Sequence, residues 1–152
     1  MIIQIIEDDF NKLHQITDFI KCILPSANIV QNHSYQSGLK SIIEKKPELI
    51  ILDMSLPTYD LSSGEPGGTF RYYGGRDILR NITRKKIKSK VIVVTMYEKF
   101  GEGHDALSLS ELKKRLKKDF EENYIGTIFY QPSTIMWQND LKNYIENFER
   151  QM

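Results

Sequence analysis

The chain has little cysteine: Cys22 is the only one among its 152 residues. A single thiol excludes an internal disulfide and a metal site built from several thiolates, and it is typical of proteins in a reducing compartment. We expect Cys22 to lie on the apolar face of the first helix as a small core residue. The three histidines, His14, His33 and His104, lack the spacing of a histidine metal site.

The sequence also lacks a dominant charge and a long apolar run. Its 21 basic and 20 acidic residues give a net charge of +1, so no electrostatic reason favours nucleic acid or membrane as a partner. Its apolar runs are too short to span a membrane, and the N-terminus lacks the basic start of a signal peptide. We expect one domain over residues 1–152, without an output domain, in the cytoplasm.

Patterns typical of strands and helices alternate along the whole chain. Each strand-like run is followed by a segment with apolar residues three and four apart, as on one face of a helix. This alternation predicts an α/β fold in which helices flank a doubly wound parallel sheet. The predicted strands cover residues 2–6, 27–33, 49–52, 91–95 and 126–130. The predicted helices cover residues 10–24, 37–46 and 76–86, a segment capped by Ser108 or Ser110, and a last segment containing Trp137.

The central apolar run, PELIILDMSLP at residues 47–57, ends abruptly in an acid. Its four apolar residues at 49–52 have no alternating polar partner, which predicts a strand that is buried on both faces. Strands of this kind present their carboxyl ends to the crevice where ligands bind. Asp53 is therefore a candidate functional residue, although a single acid here is also compatible with an ordinary turn.

Other polar residues follow the remaining predicted strands. In a parallel sheet all carboxyl ends lie at one edge, so Glu7, Asp8, Asp53, Thr95 and Gln131 are expected to converge. Several carboxylates in a partly desolvated site repel one another unless a cation offsets their charge. Oxygen ligands with room for water suit Mg²⁺. Beside such an ion, a carboxylate can accept a phosphoryl group, with the Thr95 hydroxyl and nearby backbone amides as hydrogen-bond donors.

Several motifs in chain order resemble the receiver domain of bacterial response regulators. They are the acidic pair after IIQII, the LDMSLP segment with its proline four residues after the aspartate, VIVVT, and the proline that closes the fifth strand. The resemblance extends over essentially the whole chain. It implies a flavodoxin-like fold, with a five-stranded parallel sheet in the order 2-1-3-4-5.

The resemblance also implies roles for individual residues. Asp53 matches the phosphoacceptor, and Glu7 and Asp8 match the acidic pair, with Asp8 as the direct Mg²⁺ ligand. Ser55 matches the residue whose backbone carbonyl binds the metal. Thr95 matches the hydroxyl residue that follows the phosphoryl group on activation. Gly75 matches the glycine that opens the third helix.

Two positions depart from the family pattern. Gln131 stands where receivers usually carry a lysine that pairs with the phosphoryl group, and a neutral amide makes a weaker hydrogen bond than a cation. Phosphorylation is then weaker, or a basic residue from an inserted loop takes the place of that lysine. Ile128 stands at the position of the aromatic switch. The candidate substitutes for the lysine are Arg71, Arg76 and Lys99, and the aromatic residues nearby are Tyr97, Phe129 and Tyr130.

The resemblance therefore implies a stand-alone receiver with insertions at residues 58–74 and 97–108. Such a protein accepts a phosphoryl group from a histidine kinase or a phosphotransfer protein and turns over no substrate. It signals by docking a downstream protein, or it serves as a phosphate sink or relay. The alternative is a receiver-like interaction module that has lost phosphotransfer. A phosphatase of the haloacid dehalogenase type is disfavoured because Ser55 stands where its second aspartate would be.

Overall fold

The computed structural model describes residues 1–60 and 68–152. Five parallel strands form its central sheet in the order β2-β1-β3-β4-β5, which confirms the fold expected from the sequence. We number only the strands of this sheet. They are β1 (Ile2–Ile6), β2 (Asn28–Asn32), β3 (Leu49–Leu52), β4 (Lys90–Thr95) and β5 (Tyr124–Phe129).

Five helices follow the sheet strands in alternation. Each of the first two begins at a side-chain cap, because the Asp9 carboxylate accepts from Lys12 N and the Ser34 hydroxyl accepts from Ser37 N. The helices are α1 (Phe10–Ile23), α2 (Tyr35–Lys45), α3 (Gly74–Arg84), α4 (Leu109–Asp119) and α5 (Met136–Arg150).

The sheet separates two apolar cores, because successive side chains of a strand point to opposite faces. On β3, Ile50 and Leu52 face the core that contains side chains of α2, α3 and α4. Leu49 and Ile51 face the second core, which contains side chains of α1 and α5. The central strand is thus buried on both sides, as its unbroken apolar run predicts.

Both insertions contain short antiparallel strand pairs. Leu56–Pro57 pairs with Phe70–Arg71, and Lys99–Phe100 pairs with Leu107–Ser108. The insertion at residues 58–74 therefore contains regular structure near its C-terminal end. Residues 61–67 of the segment lie outside the described part of the chain.

Cys22 of α1 and the basic residues of α4 lie at the surface of the protein. Cys22 is exposed, so its placement in the core is wrong. It lies two residues beyond the buried Ile20, and two residues correspond to about 200° around a helix, which turns the thiol away from the apolar stripe. The basic residues of α4, at positions 113–115, 117 and 118, are also exposed. Within residues 1–60 and 68–152, no helix has the length and apolar character needed to cross a bilayer.

The N-terminal cap of α4 can be tested by substitution. Ser108 and Glu111 form a reciprocal capping box, in which the Ser108 hydroxyl accepts from Glu111 N at 3.1 Å. We expect Ser108→Ala to lower the free energy of unfolding by about 1 kcal/mol in urea denaturation. Ser110→Ala, a matched change at an exposed residue within the first turn of α4, should not lower it. Equal losses for the two variants would contradict the assignment of the cap to Ser108.

Candidate functional site

Three acids from two strand ends meet at the carboxyl edge of the sheet. Glu7 and Asp8 follow β1, and Asp53 follows β3, which lies beside β1 with Ile6 opposite Leu52. Asp53 N donates to Ile6 O at 3.1 Å and so extends the pairing of these strands into the site. One carboxylate oxygen from each acid lies within 4.8 Å of the others. The structure thus brings together the acids that the sequence places 45 residues or more apart, since the pairing of β1 with β3 closes that separation.

These acids differ in burial and in hydrogen bonding. Glu7 and Asp53 are only 2% and 5% exposed, whereas Asp8 is half-buried. The Glu7 carboxylate accepts from Asp9 N through Oε2 at 3.1 Å. Asp53 accepts from Met54 N through Oδ1 at 2.8 Å, which fixes the orientation of its carboxylate. The second oxygen of Asp53 remains directed at a cation.

That cation is Lys12, from the first turn of α1. Its side chain is 1% exposed, and its ammonium group lies 2.5 Å from Glu7 Oε1 and 3.5 Å from Asp53 Oδ2. It also donates to the carbonyl of Val94 at 2.7 Å. The ring of Tyr130 lies beside it, with 5.7 Å between the ammonium nitrogen and the ring centroid. The ammonium group is thus in contact with three oxygen atoms and close to an aromatic ring.

Sequence analysis did not identify Lys12, although the sequence carried a signal for it. Lys12, Ile16 and Ile20 are four residues apart, and all three are buried on one side of α1. A lysine in an apolar stripe is unusual, because burial of a charge is unfavourable unless the charge is paired. Lys12 also lies within five residues of both predicted acids, Glu7 and Asp8.

The pKa values of the site residues are shifted by burial and by the charges of their neighbours. Burial raises the pKa of Glu7 above its usual range, and the neighbouring Asp53 carboxylate raises it further against the opposing effect of Lys12. Burial and Asp53 also raise the pKa of Asp8. Burial alone favours the neutral amine of Lys12, but the carboxylates of Asp53 and Glu7 outweigh this effect and raise its pKa. One ammonium group therefore does not fully compensate three carboxylates.

The donor set fits a hard divalent cation. It consists of carboxylate oxygens, and the excess negative charge is what such an ion would offset. Both oxygens of Glu7 already have partners, in Lys12 and in the amide of Asp9, whereas the Asp8 carboxylate is only half-buried. Asp8 and Asp53 are thus the acids best placed to bind Mg²⁺ directly. Glu7 lies behind them, paired with Lys12.

The other predicted site residues lie around this cluster. Thr95 ends β4 and is fully buried, and its hydroxyl accepts from Tyr97 N at 3.2 Å. Ser55 is buried, and its hydroxyl donates to Tyr72 O at 2.9 Å, a contact that joins it to the inserted loop. The phenol of Tyr97 is partly exposed, and burial together with the charges of Asp53 and Asp8 raises its pKa.

The two departures from the family pattern have clear structural settings. Gln131 is exposed, and no hydrogen bond of its side chain is found within the described residues. Ile128 is 1% exposed and packs in the core beside α1 and α5, so it is a fixed apolar residue. Tyr130 is also buried, stacks near Trp137 with 5.1 Å between ring centroids, and donates its hydroxyl hydrogen bond to Gln15.

The three basic residues proposed to replace the missing lysine have other partners or are exposed to solvent. Arg71 forms an ion pair with Asp77 at 3.3 Å, and the Arg76 guanidinium lies over the ring of Tyr73. Lys99 is exposed on its short strand. Within residues 1–60 and 68–152, the only basic side chain that forms an ion pair with Asp53 is Lys12. The expectation that an inserted loop provides this cation is therefore not supported.

Gly75 packs directly against the backbone that carries Asp53. Its amide donates to Met54 O at 2.8 Å, and a Cβ atom at this position would lie 2.5 Å from Asp53 O and 2.9 Å from Met54 Cα. A Cβ atom on the neighbouring Gly74 would meet the Cβ atoms of Leu56 and Arg71 at 3.2 Å and 3.3 Å, and its nearest backbone atom, Leu56 N, would lie at 3.6 Å. The close approach of α3 to the end of β3 thus requires a glycine at position 75.

Alanine substitutions at these two glycines provide a matched pair within one helix turn. Each gains up to about 1 kcal/mol of helix propensity, so a difference between them reports on steric contact. We expect Gly75→Ala to be less stable than Gly74→Ala by about 1–3 kcal/mol in urea denaturation, because backbone atoms cannot move aside. Equal stability would contradict the tight contact of α3 with the backbone at Asp53.

Comparison with known proteins is consistent with this geometry. No protein-family model matches the chain. It is 30% identical over 142 residues to the uncharacterized protein y4jR of Sinorhizobium fredii, an alignment that covers 91% of this chain and 93% of that protein. It is also 28% identical over 145 residues to the Detocs response regulatory protein DtcB of Enterobacter cloacae, covering 93% of this chain and 95% of the relative.

Solved structures share the fold over nearly the whole chain. A response regulator receiver domain protein from Clostridium thermocellum matches with a TM-score of 0.64 and 21% identity, covering 99% of this chain and 94% of that one. A CheY-like receiver domain protein from Methanospirillum hungatei matches with a TM-score of 0.64, 18% identity and the same coverage. The chain therefore has the fold of response regulator receiver domains, and over nearly its whole length it is similar in sequence to a protein named as a response regulatory protein.

Proposed function

We propose that this protein accepts a phosphoryl group on Asp53, in a Mg²⁺-dependent reaction, from a histidine kinase or a phosphotransfer protein. The observation that carries this proposal is the convergence of Glu7, Asp8 and Asp53 within 4.8 Å at the carboxyl edge of the sheet. A turn residue or a helix start would explain each acid separately. Neither explains a buried carboxylate that faces two further acids and an ammonium group.

Asp53 is the nucleophile in the proposed reaction. Its Oδ1 atom accepts from Met54 N, and this hydrogen bond holds the carboxylate in one orientation. One carboxylate oxygen attacks the phosphorus atom of the donor, and the bond between phosphorus and the leaving atom breaks with its electron pair on that atom. The product is an aspartyl phosphate, a covalent intermediate of the kind that active-site carboxylates form.

Asp8, Asp53 and the backbone carbonyl of Ser55 are the groups that would hold Mg²⁺. The ion, when bound, supplies positive charge that offsets the oxygens of the phosphoryl group. Glu7 keeps its place through Lys12 and the amide of Asp9. Glu7 would therefore add negative charge to the site without binding the ion directly.

Thr95 is the proposed hydroxyl donor to the phosphoryl group. It lies at the end of β4, the sheet neighbour of β3, and the fold thus places it beside the strand that carries Asp53. Its hydroxyl accepts from Tyr97 N and retains its own proton for a hydrogen bond. Donors held in place by the backbone lose little entropy when they bind a charged group. Gln131 follows β5, the sheet neighbour of β4, as an exposed neutral residue.

The phosphorylated protein would signal by docking a downstream protein, or it would act as a phosphate sink or relay. The relative named as a Detocs response regulatory protein supports a regulatory role. The near balance of charges favours a protein partner over nucleic acid or a membrane, in a cytoplasmic setting. The alternative, an interaction module that has lost phosphotransfer, rests on Gln131 and Ile128.

Binding of Mg²⁺ should stabilise the folded protein. At a free concentration of about one hundred times the dissociation constant, we expect the free energy of unfolding to rise by about 2.7 kcal/mol. Asp8→Asn should remove most of this gain, whereas Asp140→Asn, at an exposed position of α5, should retain it. The measurement is urea denaturation with and without Mg²⁺. Equal gains in both variants would place the ion elsewhere.

Phosphorylation is tested most directly with acetyl phosphate. Purified protein with Mg²⁺ should gain one phosphoryl group by intact-mass spectrometry, and Asp53→Asn should gain none because an amide is not a nucleophile for phosphorus under these conditions. Asp119→Asn, at the exposed end of α4, is the matched control and should behave like the unmodified protein. Absence of any gain in the unmodified protein would favour the interaction module instead.

A further inference from the structure

Lys12 is a buried charge whose ammonium group belongs to the site. The three protons of an ammonium group require three acceptors, and the structure provides the Glu7 carboxylate, the Val94 carbonyl and, at a longer distance, the Asp53 carboxylate. Two of these hold the group in place. The third contact is the longest, with 3.5 Å between Lys12 Nζ and Asp53 Oδ2, and Asp53 is the proposed nucleophile.

A purely structural role explains this arrangement poorly. Replacing a buried ion pair by apolar side chains of similar volume is often neutral or stabilising, so a buried lysine is an inefficient way to strengthen a core. The position itself suits an apolar residue, because it continues the stripe of Ile16 and Ile20 on α1. The charge of Lys12 therefore calls for an explanation that involves the acids it faces.

The surroundings also lack another cation for this purpose. Gln131 is neutral and exposed, and Arg71 is engaged with Asp77. Among the described residues, Lys12 is the one basic group in contact with Asp53. A phosphoryl group on Asp53 adds negatively charged oxygens at the end of the side chain that Lys12 already faces.

We infer that Lys12 is the positively charged residue of the phosphoryl-transfer site, contributed by α1 in place of the lysine that would precede Pro132. In the resting protein it compensates Glu7 and Asp53. As Asp53 attacks phosphorus, the contact with Asp53 passes to an oxygen of the phosphoryl group, while Glu7 and Val94 keep the ammonium group in position. Lys12 remains protonated throughout, so the step needs no proton transfer from it.

This inference rests on the proposed function, and its test separates the two. Lys12→Met removes the charge and keeps an unbranched apolar chain, and Lys21→Met makes the same change at an exposed residue of α1. Phosphorylation by acetyl phosphate is timed at saturating Mg²⁺ for both variants and for the unmodified protein. We expect Lys12→Met to react about 10²-fold more slowly, as for loss of one fixed electrostatic contact, and Lys21→Met to be unchanged.

Binding of beryllium fluoride, which mimics a phosphoryl group on a carboxylate, provides a readout that does not depend on turnover. Trp137, the only tryptophan, stacks near Tyr130, whose ring lies beside Lys12, so its fluorescence reports on this side of the site. Lys12→Met should bind beryllium fluoride at least about tenfold more weakly, since a charged contact becomes apolar. A lysine that is only structural would lower stability and leave this affinity unchanged.

The outcomes are distinct. If the unmodified protein is phosphorylated and Lys12→Met reacts at the same rate with the same beryllium fluoride affinity, the inference about Lys12 is wrong and the proposed function stands. If the unmodified protein is not phosphorylated, both are wrong. If Lys12→Met does not fold, the ¹⁵N resonance of the Lys12 ammonium group in the unmodified protein decides. It should shift on addition of beryllium fluoride, and a constant resonance would overturn the inference.

Discussion

The constraint on which this structure depends is the balance of charge at the carboxyl ends of β1 and β3. Two neighbouring parallel strands bring Glu7, Asp8 and Asp53 into one partly desolvated pocket, where burial and the neighbouring Asp53 carboxylate raise the pKa of Glu7 and of Asp8. Lys12 compensates part of this charge from the first turn of α1. The remaining imbalance is what the proposed divalent cation would offset.

The elements around the pocket serve to keep this charge cluster in place. Asp9 caps α1 and so fixes the turn from which Lys12 enters the core. Gly75 lets α3 approach the backbone at Asp53 more closely than any side chain would allow. The inserted segment also contacts the site, because the hydroxyl of Ser55 donates to Tyr72 O. The first insertion is thus joined to Ser55 through its backbone, and among the described residues of both insertions no basic side chain forms an ion pair with Asp53.

Much of the fold followed from local patterns, and the least predictable features were those that depend on three-dimensional contact. The unbroken apolar run before Asp53 and the spacing of apolar residues in α1 were sufficient to predict a buried strand and an amphipathic helix. Cys22 was predicted to lie on the apolar face of α1. Its position on the helix turn instead exposes it to solvent. The short strand pairs in the insertions were missed, because paired segments of two residues leave no periodic pattern.

By itself, the sequence determined the alternation of strands and helices and the acids that follow them, because both depend on residue order and on the periodicity of each element. It also determined that these acids would meet, since parallel strands all end at one edge. Only the tertiary structure decided which cation they meet. Lys12 and Asp53 are 41 residues apart, and their contact depends on how α1 packs against the sheet and on which way a long side chain turns within that core.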